Sequence, residues 1–154
     1  MPLPEDILLF NGQVKASSTT ILDFPAASPH RVGQLKFING VQASFNTDAD
    51  RVIHLAGTVS GDDFWVEKDA SLVLTNTIPE ADVQISLPAG ANAVVTGNLR
   101  FQGNSPQAQH RLTALDAVNS LSTGIRFTDG STFTAGSNFE GNAFGAADAN
   151  RNTV

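Results

Sequence analysis

Apolar and polar residues alternate along most of this chain. Val83, Ile85 and Leu87 alternate with Asp82, Gln84 and Ser86, and Ile125, Phe127 and Phe133 alternate with polar neighbours. A period of two is what a half-buried strand requires, because successive side chains point to opposite faces. The same reading predicts strands over 51–59, which holds Val52, Ile53, Leu55 and Val59, and over Phe64–Val66, Ser71–Thr75, Val94–Thr96 and Leu99–Phe101. Turn signals recur about every 8–12 residues, the spacing of a sandwich or barrel.

Three dipeptides punctuate this pattern. Asn11-Gly12, Asn39-Gly40 and Asp129-Gly130 each stand between apolar runs. Type I′ turns need positive φ at both central residues, which Asn, Asp and Gly accept at little cost. A two-residue loop of this kind joins antiparallel neighbours, so three hairpins are expected. One short helix is expected over 106–121. Ser105 would serve as its N-cap, Pro106 as its first residue, and Gly124 as the stop beyond it, with Ala108, Leu112 and Leu115 on one face. The predicted fold is therefore all-β: an antiparallel β-sandwich or jelly-roll-like core with one short helix and extended termini. A parallel β-solenoid is the runner-up. Ala70–Leu74, Val94–Asn98 and Gly130–Phe133 have the texture of solenoid rungs, but no fixed period survives a count, and tight hairpin turns weigh against parallel rungs.

The ends differ from the middle. Residues 1–34 carry Pro2, Pro4, Pro25 and Pro29 and read as an N-terminal arm able to hold one hairpin. Residues 35–135 read as the β-rich core. Residues 136–154 are rich in Gly, Ala and Asn and read as a C-terminal tail anchored by Phe139 and Phe144. Either end is expected to fray or to order against a neighbouring subunit.

Composition narrows the function. With 154 residues, one domain is expected. Hydrophobic residues make up 41% and charged residues 16%, which favours a packed core over disorder. Cysteine is absent, which removes disulfides, thiolate metal sites and cysteine nucleophiles. The net charge is −6, and the nine basic residues are scattered with no two adjacent. Nucleic acid and anionic membranes are thus not expected partners. No stretch is long and apolar enough for a spanning helix, and the opening Met1-Pro2-Leu3-Pro4-Glu5-Asp6 does not read as an export signal.

Reactive constellations are sparse. His30, His54 and His110 show no metal-ligand spacing, and His54 within Val52-Ile53-His54-Leu55 reads as a structural strand residue. Asn46-Thr47-Asp48-Ala49-Asp50 begins like a calcium loop. It has Arg51 where that loop needs Gly and Gly57 where it needs Glu, so a polar turn is expected. Asp62, Asp63, Glu67 and Asp69 surround Trp65, the single tryptophan. Paired carboxylates could perform acid–base work on a sugar stacked on Trp65, but a chain with no tyrosine is poorly stocked for carbohydrate. No serine-nucleophile elbow, phosphate loop or dinucleotide fingerprint occurs. No catalytic residue, metal or cofactor is therefore expected. The candidate binding or assembly residues are Trp65, Asp62, Asp63, Phe139 and Phe144.

The Pro-bearing N-terminal segment, the Asn-Gly and Asp-Gly turns, the acidic cysteine-free composition and the Gly/Asn/Ala-rich end together resemble the decoration, or cement, proteins of tailed-bacteriophage capsids. That resemblance implies a non-enzymatic virion protein, made in the host cytoplasm and carried on the capsid surface. It implies a homotrimer with a sandwich or jelly-roll core, seated on the major capsid protein at threefold positions. The alternative is a receptor- or glycan-binding β-domain of a phage tail fibre or spike, with a concave site around Trp65, Asp62 and Asp63.

Overall fold

A computed structural model describes residues 2–25, 30–104, 107–114 and 124–145. Among the described residues there are fourteen strands and no helix. They are β1 (Ile7–Asn11), β2 (Ser17–Leu22), β3 (His30–Val32), β4 (Gln34–Ile38), β5 (Gln42–Thr47), β6 (Arg51–Leu55), β7 (Phe64–Val66), β8 (Ser71–Asn76), β9 (Val83–Leu87), β10 (Asn92–Val95), β11 (Asn98–Phe101), β12 (Arg111–Ala114), β13 (Gly124–Phe127) and β14 (Thr132–Ala135).

Every third strand in sequence is a spatial neighbour. One sheet runs β1-β4-β7-β10-β13, a second runs β2-β5-β8-β11-β14, and a third runs β3-β6-β9-β12. All pairings are parallel. The chain is thus a three-sided β-solenoid of about four turns. This corrects the antiparallel sandwich expected from sequence; the runner-up architecture is the one adopted.

The alternation of residues explains the strands equally well in this fold. Leu35, Phe64 and Ala93 stack in register and point inward, while the residues that follow the first two, Lys36 and Trp65, point outward. Ala43, Leu72 and Leu99 form the matching inward column of the second sheet, and Ile53, Ile85 and Leu112 that of the third. The three columns close on one interior in which Phe37, Phe45, Phe64 and Phe101 are fully buried.

The turn dipeptides do turn the chain, but into a different sheet. Asn39 (φ 55°) and Gly40 (φ 70°) both take the positive values that the dipeptide favours. The strands on either side, β4 and β5, nevertheless lie in different sheets. Asp129-Gly130 likewise links β13 to β14 at a corner, with Gly130 at φ 83°. At Asn11-Gly12 the glycine is needed for space: an added Cβ would run into the Asn39 carbonyl of the next coil. The expected helix is also corrected, since Arg111–Ala114 is β12. The remainder of that prediction, Ser105, Pro106 and 115–121, lies outside the described residues.

Candidate functional site: the open end of the solenoid

The two ends of the coil are built differently. At the C-terminal end, the segment after β14 folds back over the last complete turn. Gly103 N–H donates to Ser137 O, Ala108 N–H to Asn138 O, Glu140 N–H to Ala108 O, and Leu112 N–H to Ala143 O, each at 2.8 to 3.0 Å. Phe144 meets the rings of Phe133 (4.8 Å), Phe127 (5.6 Å) and Phe101 (6.2 Å), and Phe139 packs on Phe101 at 5.9 Å. Phe139 and Phe144 of the returning segment thus pack on Phe101, Phe127 and Phe133 of the last strands, although β13 and β14 keep their outer edges.

The N-terminal end has no such cover among the described residues. β1, β2 and β3 are the outermost strands of their sheets, each paired on one side only. Their outer N–H and C=O groups form an edge that can pair with another strand. Between them lies a cavity of about 440 Å³ lined by Leu8, Phe10, Ile21, Leu22, Phe24, Leu35, Phe45 and Ile53, with Pro2, Pro25 and the polar Thr20, Asp23 and His30 completing it. A second hollow of about 250 Å³ lies beside it, between Leu9, Val14 and Val41. Ile7 is 47% exposed, Leu9 53%, Ile21 69% and Val14 85%. Three contacts tie the rim together. Arg51 Nε donates to Leu22 O (3.0 Å), its guanidinium lies 5.9 Å from the Phe24 ring centre, and Phe24 stacks on His30 at 4.9 Å.

The residues singled out from sequence are dispersed. Trp65 points outward from β7, in register between Lys36 and Val94 on the outer face of the first sheet. Asp63 is buried; its Oδ2 accepts from Asn92 N–H at 3.0 Å while its Oδ1 has no hydrogen-bond partner. Burial pushes the Asp63 carboxyl above the usual carboxylate range. Asp62 is its half-buried neighbour in the loop leading into β7. Glu67, at the other end of that strand, accepts from Asn39 N–H at 2.5 Å. Asp63 and Glu67 thus each hold a main-chain amide of an adjacent coil, at opposite ends of β7. Phe139 and Phe144 belong to the C-terminal cover.

The remaining polar candidates are also structural. In 46–50, Thr47 Oγ1 donates to Ala49 O, Asp48 pairs with Arg51 at 3.2 Å, and Asp50 Oδ1 accepts from Asp82 N–H. His30 lies at the N-terminal mouth, His54 faces out from the third sheet beside Arg31, and His110 is inside. Among the described residues no three histidines or carboxylates gather as metal ligands would.

Sequence reasoning passed over Ile7, Leu9, Ile21 and Phe24. The signal was present in Ile7-Leu8-Leu9-Phe10, four apolar residues in a row where one strand face should be polar. A run of that kind marks a surface meant to be covered. Comparison of the chain with protein-family models, curated proteins and solved structures finds no match.

Proposed function

We propose that this chain is a non-enzymatic structural module held in a larger assembly by its N-terminal end. The setting proposed from its sequence texture is the surface of a tailed-phage particle, as a decoration protein or a fibre component. The observation that carries the reading is the asymmetry of the coil. At one end a returning segment stacks Phe139 and Phe144 on the aromatic residues of the last strands. Outermost strands stand at both ends, but only at the N-terminal end do they surround an apolar mouth with no aromatic segment folded over it among the described residues. Two further observations support a structural role. One carboxylate oxygen of Asp63 and one of Glu67 each accept a main-chain amide of an adjacent coil. The cavity at this mouth is lined mainly by apolar side chains, with Thr20, Asp23 and His30 the polar exceptions, which suits packing better than polar chemistry.

The absence of cysteine makes the test direct. Single cysteines are placed at Leu9, on the open end, and at Ser137, in the exposed part of the C-terminal cover. Maleimide labelling rates are compared at rising protein concentration and after incubation with purified tailed-phage particles. Protection of position 9 with position 137 still reactive is the expected result in at least one of these assemblies. Equal reactivity of both positions throughout would overturn the reading.

A further inference from the structure

The chemistry of the open end points to its occupant. A strand laid on β1 can run parallel or antiparallel to it. Glu5 and Asp6 precede β1, and Lys15 lies beyond its other end, at the next corner of the coil. A second copy added in parallel would place acid over acid and base over base. Added antiparallel, it places Glu5 and Asp6 of each copy across from Gln13 and Gly12 of the other, in the corner that Lys15 closes by donating its N–H to Asn11 O at 3.0 Å. Leu9, at the centre of β1 and 53% exposed, then faces its own symmetry mate, and Ile7 lies across from Asn11. The same two-fold axis lays β2 of one copy along β3 of the other, again antiparallel. Head-to-tail stacking on the outermost β13 and β14 is the competing arrangement, and it would continue as an open polymer rather than close at two copies.

We infer that the N-terminal end is an isologous homodimer interface, in which two solenoids join edge to edge through antiparallel β1 strands. This rests on reading that end as the docking face, and it names a second copy of the chain as the partner. An isologous contact closes on itself, so it ends at two copies. It also hides the apolar mouth and the strand edges that would otherwise invite aggregation.

The test is oligomeric state by light scattering and sedimentation of the full chain. A dimer is expected, with Lys15→Glu weakening its dissociation constant about tenfold through loss and reversal of two symmetric charge contacts. Adding Glu5→Lys and Asp6→Lys to Lys15→Glu inverts the charges that flank β1 and restores the dimer. Leu9→Lys, an outward substitution that leaves the core intact, gives a monomer with an unchanged circular dichroism spectrum. A dimer indifferent to the charge swap would overturn the antiparallel pairing, and so would a trimer or an open polymer. A monomer at all concentrations would remove the second copy as partner. Protection of the position-9 thiol on phage particles alone would, in that case, leave the docking role of this end standing.

Discussion

His110 is fully buried, and both ring nitrogens have main-chain partners. Nδ1 accepts from Val83 N–H at 3.0 Å, so the proton sits on Nε2, which donates to Gln102 O at 3.0 Å. One neutral ring thus ties β9 to the chain between β11 and β12. A second proton would occupy the nitrogen that now accepts, and burial pushes the ring's pKa down to about 4. The unfolded chain takes up that proton near 6.5 and the folded chain only near 4, so folding releases protons across this window. Stability therefore falls as pH drops from about 6.5 to about 4, by about 3 kcal/mol from this group, and levels off below. His54 has the same sign, from burial first and then the charge of Arg31. Asp63 has the opposite sign: its raised pKa favours the folded state below the ordinary 3.8, an advantage lost as pH rises through the folded value. It offsets the histidines only at the acid end. Urea midpoints between pH 4 and 7 should show the slope, and His110→Gln should flatten most of it. A flat profile in the parent chain would refute the buried, neutral ring.

Among the elements, the C-terminal cover is the clearest test of how the coil is closed. Phe144 is 37% exposed, yet it contacts the rings of Phe101, Phe127 and Phe133. Phe144→Asp removes those contacts and sets a charge over the end of the core. A loss of about 2 kcal/mol is expected in urea unfolding, together with particle growth in light scattering as the newly opened end finds partners. Unchanged stability and size would mean that the remaining segment closes the end without this ring. The same elements show what could be read in advance. Inward and outward positions were legible, because a period of two is common to sandwiches and solenoids: Val83, Ile85 and Leu87 are buried as the alternation requires. The direction of the next strand was not. Asn39-Gly40 adopts its favoured φ values, but local turn chemistry does not state whether the chain returns beside itself or passes into another sheet. The solenoid repeat was hidden by its corners. Ala43, Leu72, Leu99 and Phe133 share one column at separations of 29, 27 and 34 residues, so no single period aligns them. Of the site, only the apolar run at Ile7–Phe10 was visible, and its meaning depended on β1 being an edge.

For the whole molecule, parallel coils contact only their neighbours, and stability should behave as a one-dimensional array. The coil of β7, β8 and β9 has a coil on each side. The coil of β1, β2 and β3 has one neighbour, and its inward residues Leu8 and Phe10 are only half-buried. Amide protection in the dilute chain should therefore rise from the first coil toward the third. Leu22 and Leu72 separate the two regimes, since both are buried but at different depths along the axis. Leu72→Ala removes a side chain that is fully enclosed, and it should cost about 2–5 kcal/mol throughout, lowering protection in every coil together. Leu22→Ala should lower protection in β1, β2 and β3 while leaving β8 and β9 near their original exchange rates. Uniform loss in both variants, read by native-state hydrogen exchange with mass spectrometry, would show a fully cooperative unit in which the open end is no weaker than the middle. The graded outcome would instead tie assembly to folding: an occupant of the open end would supply the missing neighbour, and it would stabilise the first coil most.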